Sequence, residues 1–302
     1  MEISNKHPHQ PVLLEQVLEL LSPQKGDRYL DLTAGYGGHA SAVLAAADIR
    51  ICVLVDRDQT AIEYLEGRFI EHGAVQLVHA DMVSALSKLR QNNQEFDLVL
   101  LDAGVSSLQL DEPERGFSFR YDAPLDMRMD IRSELTAKTI VNTWSERDIA
   151  KIIRTYGEEQ HATRIAHAIV EHRPIDTTMQ LAEVVKQTNR RHTKIHPATK
   201  TFQALRIAVN DELQQLEQAL HGIDQVLAPG GRVAMISFHS LEDRIVKKYY
   251  NPRSKGFEAT YRNLTKRPIT AHQNDTNPRA RSAKLRAAVK LKQKQKGEID
   301  AN

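Results

Sequence analysis

Four short apolar runs near the start of this chain close on an aspartate or lead to one within three residues. Tyr29–Leu32 carries Asp31, Ile51–Val55 stops at Asp56, Val75–Val78 leads to Asp81, and Asp97–Leu101 stops at Asp102. None alternates strictly between apolar and polar residues, so each predicts a strand buried on both faces. Helical stretches lie between them: Gly38–Ala47, built of small residues, and Ala61–Phe69. An earlier helix opens at Pro11, with Val12, Leu14, Val17, Leu18 and Leu21 at helical spacing. Buried strands that alternate with helices predict a parallel sheet covered on both sides, an α/β doubly wound core.

The alternation then stops. Between about Asp111 and Ala204 no segment reads as a strand. Ser145-Glu146-Arg147-Asp148 is a capping box for a helix ending near Gly157, a second helix runs to about His172 before Pro174, and a third covers Met179–Thr188. Phe202, Leu205, Val209, Leu213, Leu216 and Leu220 step at 3, 4, 4, 3, 4, the pattern of one apolar helix face. The turn Leu227-Ala228-Pro229-Gly230-Gly231 and the strand Val233–Phe238 resume the α/β pattern. The 302 residues therefore divide into a discontinuous core, 1–110 and 205–302, and an inserted all-helical domain, 111–204, expected to recognise substrate.

Charge decides what the first glycine turn binds. Asp31-Leu32-Thr33-Ala34-Gly35-Tyr36-Gly37-Gly38-His39-Ala40 sits at a strand-to-helix junction, where glycines permit a tight turn and close ligand approach. Gly35-x-Gly37-x-x-Ala40 also fits a dinucleotide fingerprint, and Asp56 stands where an acid takes the ribose hydroxyls of an adenosine. A nicotinamide dinucleotide, however, would bring an anionic pyrophosphate to an edge carrying Asp31, Asp56, Asp81 and Asp102. S-adenosylmethionine brings a sulfonium and an ammonium. At about 4 Å and an effective dielectric near 20, each such contact is worth about 4 kcal/mol before desolvation, which favours the cationic cofactor.

Other features narrow the setting. Net charge is only +2, but Arg279, Arg281, Lys284, Arg286, Lys290, Lys292, Lys294 and Lys296 follow one another with no acid before Glu298. That run reads either as a nucleic-acid contact or as a solvated tail or charged edge strand. No apolar leader or membrane-length run is visible, and the single cysteine, Cys52, permits no internal disulfide, so a cytoplasmic protein is expected. The thirteen histidines show no metal-ligand spacing, so no metal is expected. Cys52 lies inside an apolar run, which disfavours methylation at a pyrimidine C5 that would need a thiolate nucleophile. An exocyclic amine needs only a hydrogen-bond acceptor and alignment with the methyl group, and Asp102 is placed to supply the first. A ribose hydroxyl or a small molecule stays open on these grounds.

Several long motifs resemble the bacterial ribosomal RNA small-subunit methyltransferase H family, also called MraW. They are His7-Pro8-His9-Gln10-Pro11-Val12-Leu13-Leu14, the Asp31–His39 turn, Gly104–Asp111 with Glu114-Arg115-Gly116-Phe117-Ser118-Phe119, and Pro124-Leu125-Asp126-Met127-Arg128-Met129-Asp130. His196-Pro197-Ala198-Thr199, Thr201-Phe202-Gln203-Ala204, Ile236–Arg244 and Asn277–Ser282 extend the likeness over nearly the whole chain. The resemblance implies a Rossmann-like S-adenosylmethionine methyltransferase core and methylation of N4 of a decoding-centre cytidine in 16S ribosomal RNA. The small ribosomal subunit is the implied partner, with no membrane, and a homodimer is left open. It implies cofactor contacts from Gly37, Gly38, His39, Asp56, Met82, Asp102 and Gln109, beside Asp31 and Gly35 of the turn. Met82 replaces a frequent aromatic, Ala103 and Leu108 replace an expected Leu and Pro, and the stretch after Tyr250 is short.

Substrate-side candidates are Arg115, Phe117, Asp126, Arg128 and His239. The Asp126–Asp130 segment is read as lining the base pocket, against an internal salt-bridge corner. Arg115, Phe117 and Phe119 suit phosphate pairing and stacking, with one phenylalanine assigned to core. His239 is read as a substrate hydrogen-bonding residue rather than a member of a triad with Ser237, Ser240 and Asp243, because no nucleophile elbow is present. Trp144 is read as core. A nicotinamide-dependent oxidoreductase and a non-catalytic RNA-binding assembly protein are the competing classes.

Overall fold

In a computed structural model the described residues are 11–105, 109–110, 112–188, 196–256, 258–271 and 277–292. Leu108, the His7–Gln10 motif, Lys294 and Lys296 lie outside them. The chain divides into two compact units, Met1–Gly104 with Gln215–Asn302, and Val105–Gln214.

The first unit opens with α1 (Leu14–Leu21). There follow β1 (Arg28–Asp31), α2 (Gly38–Ala46), β2 (Ile51–Asp56), α3 (Gln59–Phe69), β3 (Val75–His79), α4 (Met82–Gln91) and β4 (Phe96–Asp102). After the second unit come α10 (Glu212–Val226), which begins three residues before the division, β5 (Leu227–Ser237), α11 (Ser240–Arg253), β6 (Tyr261–Asn263), β7 (Ile269–Thr270) and β8 (Lys284–Lys290). The strand order is β3-β2-β1-β4-β5-β8-β6, with β7 also on β8. β1 to β5 pair in parallel, and β8 runs antiparallel to β5, β6 and β7. The fold is thus a doubly wound, Rossmann-like α/β core. Its order reverses between β1 and β4, so the crevice where such sheets bind ligands lies at the ends of those two strands.

Both faces of the sheet are covered at β1, β2, β4 and β5, which is why those strand sequences do not alternate. Strand β3, expected to be buried on both faces, is instead an edge strand with Gln76 exposed. Leu30, Val53, Val99 and Leu101 pack one way with Leu86, Leu89, Leu220 and Val246. Tyr29, Cys52, Leu54, Leu98 and Leu100 pack the other way with Val17, Leu21, Val43 and Leu65. Cys52 is fully buried, and burial followed by the nearby Asp31 pushes its thiol up to about 12, as the core reading requires.

The second unit holds α5 (Ala137–Thr143), α6 (Glu146–Tyr156), α7 (Ala162–Glu171), α8 (Thr178–Thr188) and α9 (Thr199–Asn210) around one apolar core. Ser145 caps α6 by accepting the Asp148 amide at 3.1 Å. Trp144, Phe117 and Phe119 all pack against this core, so the substrate-side assignment of Phe117 competes with a packing role. Gly157 ends α6 in the ordinary right-handed region. A Cβ there would stand 2.6 Å from the Lys200 carbonyl oxygen, so close approach to α9 excludes a side chain.

Three expectations are corrected. The single helix expected over Phe202–Leu220 is broken at Asp211, whose backbone is left-handed at φ 49°, ψ 38°. Asn210 is fixed there by long-range bonds, donating to the Met127 carbonyl at 2.8 Å and accepting from the Met129 amide at 2.7 Å. A bidentate Arg206–Glu212 pair, at 2.7 Å for both bonds, braces the corner. The expected core boundaries at 110 and 205 move to 104 and 215, because Phe202, Leu205 and Val209 of α9 belong to the helical core. Finally, Lys284–Lys290 is neither tail nor edge. It forms β8 between β5 and β6, with Leu285, Ala287 and Ala288 buried. No helix among the described residues is long and apolar enough to cross a membrane.

Candidate active site

The ends of β1, β2 and β4 bring together Asp31, Asp56 and Asp102. Asp31 is 1% exposed; its Oδ2 accepts from the Tyr29 hydroxyl at 3.0 Å and its Oδ1 from the Thr33 amide at 3.2 Å. Burial, only partly offset by those bonds, raises its carboxyl to about 7. Asp56 accepts from the Gly35 amide at 2.8 Å and the Asp58 amide at 2.9 Å. Burial still raises it above the usual carboxylate range. Each oxygen keeps a further lone pair for a ligand hydroxyl.

Asp102 is held differently. Its backbone amide donates to Thr33 Oγ1 at 2.7 Å, which ties β4 to the turn after β1. Its side chain is 22% exposed, so a ligand can reach it, yet its Oδ1 is buried without a hydrogen-bond partner among the described residues. Burial first, then Asp31 and Glu242, hold its carboxyl well above the usual range. An unsatisfied carboxylate beside two others is costly unless a cation or a donor completes it. Such a donor set fits a cationic ligand and repels a pyrophosphate.

His39, 8% exposed at the start of α2, places Nε2 3.0 Å from the Val12 carbonyl. Its Nδ1 is 3.9 Å from Asp102 Oδ2. Met82 is 8% exposed and belongs to the core on one sheet face. Asp81, just past the end of β3, is engaged as a helix cap. It caps α4 by accepting from the Val83 and Ser84 amides, both at 3.0 Å, and from the Ser84 hydroxyl at 2.6 Å.

The glycines are required by neighbouring protein atoms as well as by any ligand. Gly37 has φ 70°, and a Cβ on it would stand 2.7 Å from Phe69 Cε2 and 2.8 Å from Leu65 Cδ2. On Gly38 a Cβ would meet Pro11 Cγ at 2.5 Å. Gly35 is also left-handed, at φ 51°.

His239 caps α11. Its Nδ1 accepts the Glu242 amide at 3.4 Å, while Glu242 Oε2 accepts the Phe238 and His239 amides at 2.7 and 3.2 Å. Ser237 donates to the Lys284 carbonyl and Asp243 is paired with Arg286 at 2.7 Å, so no triad assembles. Thr33 and Glu242 were missed by sequence reasoning. The His239-x-x-Glu242 spacing of a capping box could have revealed the second.

Gln109, Arg115, Phe117, Asp126 and Arg128 belong to the helical unit. Gln109 is 3% exposed. Arg128 grips Asp126 through bonds of 2.9 and 2.7 Å and donates to the Ile131 and Ser133 carbonyls. Arg115 donates to the Arg128 and Met129 carbonyls at 3.0 and 3.1 Å. These bonds make the segment a salt-bridge corner within the helical unit.

Comparison with known proteins places this geometry. A protein of Cyanothece sp. named ribosomal RNA small subunit methyltransferase H is 47% identical over 294 residues, 96% of this chain and 97% of the relative. Proteins of the same name from Afipia carboxidovorans and Halothermothrix orenii are 46% and 42% identical. They cover 93% and 94% of this chain and 90% and 98% of the relatives. The sequence pattern of the MraW methylase family matches residues 6–291, and this chain belongs to that family.

Proposed function

We propose that the chain transfers a methyl group from S-adenosylmethionine to N4 of a decoding-centre cytidine in 16S ribosomal RNA. Family membership and the relatives' shared name support a small-subunit ribosomal RNA methyltransferase. The observation that carries the chemistry is Asp102, a reachable carboxylate with a buried, unpartnered oxygen at the switch point of the sheet.

Bound S-adenosylmethionine supplies a methyl group made electrophilic by its sulfonium. Asp31 and Asp102 offer negative charge to the cationic groups, and Asp56 offers acceptors to the ribose hydroxyls. Gly35, Gly37, Gly38 and His39 shape the turn, and Met82 is assigned by resemblance to pack on the adenine. Asp102, ionised once a cationic ligand sits beside it, accepts a hydrogen bond from the attacking amine, which aligns the nitrogen lone pair, and takes the departing N–H proton onto its carboxylate. His239 is assigned a hydrogen bond to substrate. Gln109 for the cofactor, and Arg115, Phe117, Asp126 and Arg128 for the nucleotide, rest on resemblance and residue chemistry.

The test is transfer of labelled methyl from S-adenosylmethionine to purified small ribosomal subunits, followed by nucleoside analysis. Label in N4-methylcytidine is expected. Label in another nucleoside overturns the target, and no label with cofactor binding intact overturns the enzymatic reading.

A further inference from the structure

The charge of this chain is divided unevenly along its length. Residues 244–292 contain fourteen lysines and arginines against two acids, Glu258 and Asp275, a net of +12 in a chain whose total is only +2. The rest of the protein therefore carries −10. This basic block builds α11 and the β6–β8 hairpins of the first unit.

Some of these cations hold the fold together. Arg286 and Lys284 share Asp243, and Lys290 donates to the Leu227 carbonyl. Six others, Lys247, Lys248, Lys255, Arg262, Lys266 and Arg267, are exposed and have no ion-pair partner among the described residues. Five of them lie on α11, just past its end or in the turn after β6, while Arg262 faces the side of the sheet opposite Tyr261 and Asn263, which meet α11. Lys247 and Asn251 of α11 line an open cleft together with Asn263 of β6, Thr265 of the following turn and Arg286 of β8. Lys247 and Lys248 are neighbours on the exposed side of α11, Lys255 stands two residues past its end, and Lys266 and Arg267 follow Thr265 directly.

Such a cluster repels itself, and its counterpart must be strongly anionic. The neutral groups of the cleft already bond within the fold, Asn263 to Asn251 and Ser254 and Thr265 to the Ala287 amide, so the cations carry the attraction to a phosphate chain. A bilayer would also want an apolar anchor, yet the large exposed hydrophobics of the described residues, Tyr64, Ile70, Tyr121, Ile131 and Met179, all lie outside this block. We propose that the exposed face of α11 and the β6–β8 hairpins docks on the phosphate backbone of structured RNA, away from the carboxylate site. The proposal rests on the reading of the substrate as RNA.

The test uses the full chain with those six residues changed to glutamine, measured on small ribosomal subunits and on naked small-subunit RNA over a salt series. Each phosphate contact removed should flatten the slope of log K against log salt by about 0.7–0.9. KM for subunits should rise at least about tenfold, with kcat and the Kd for S-adenosylmethionine within about twofold. Asp102→Asn, run alongside, should keep the parent salt slope while losing methyl transfer, which separates failure of docking from failure of the catalytic reading. An unchanged slope and KM in a folded six-residue variant overturns the proposal. So does a loss confined to phosphatidylserine vesicles with RNA binding intact.

Discussion

Asp56 Oδ2 accepts the Gly35 amide proton at 2.8 Å, so the carboxylate that ends β2 also closes the glycine turn leaving β1. Its other oxygen takes the amide of Asp58 at 2.9 Å, and Asp58 in turn caps α3 by accepting the Thr60 amide. One side chain thus shapes the turn and, in the proposed function, receives the ribose. Asp56→Ala should weaken S-adenosylmethionine binding by about 10- to 100-fold and destabilise the fold by about 1–3 kcal/mol, since two amides lose their acceptor. Calorimetry and thermal melts measure the two losses separately. Unchanged affinity in a folded variant would remove Asp56 from the cofactor site.

Asp102 sets activity against stability. Its folded-state carboxyl is raised by burial, Asp31 and Glu242, so the native protein retains a proton that the unfolded chain gives up. Stability from this group is present at low pH and is lost as pH rises through the folded value. Asp102→Asn carries no such cost. The variant should melt higher than the parent, by a margin that widens with pH, while kcat falls by about 10²- to 10⁴-fold. Near-normal turnover in the folded variant would remove Asp102 from the chemistry.

Asp31 gives a pH window that can be measured directly. With its carboxyl raised to about 7 by burial, a cationic ligand must displace its proton at lower pH. Affinity for S-adenosylmethionine should therefore rise between about pH 6 and 8, by at most about tenfold per unit. Calorimetry in buffers of different ionisation enthalpy should register proton release on binding. Without ligand the sign is opposite: stability declines from about pH 4 to 7, because the folded state binds more protons than the unfolded one. Asp31→Asn should remove the Asp31 share of both dependences and leave the share that Asp102 and Asp56 contribute. Binding that is flat across the window would exclude Asp31 as a charge partner.

Strands β1, β2 and β4 were legible because they are apolar on both faces and end in aspartates. The carboxylate group was legible from the same strand ends, although Asp81 proved to cap α4. Spacing could not show the break at Asp211, because the 3, 4, 4, 3, 4 rhythm continues across it. The corner depends on bonds from Asn210 to Met127 and Met129, more than 80 residues earlier. Strand β8 was concealed by its charge. Lys284 and Arg286 look like a tail until Asp243 is found beside them, and only the intervening Leu285 and Ala287 carried a period of two.

Gly37 tests whether the turn is glycine for its ligand or for its own packing. At φ 70° an added Cβ is strained whatever its surroundings, and here it would lie 2.7 Å from Phe69 Cε2 and 2.8 Å from Leu65 Cδ2. Gly37→Ala should cost about 2–4 kcal/mol, combining the left-handed backbone with overpacking. The packing share is recoverable. Phe69→Ala alone should destabilise by removing apolar contacts, but in the double variant part of the Gly37→Ala cost should vanish, giving a coupling of about 0.5–2 kcal/mol by urea denaturation. Leu65 remains in place, so recovery should be incomplete. Strict additivity of the two changes, with cofactor affinity lost in both Gly37 variants, would mean that the ligand and not α3 demands a glycine there.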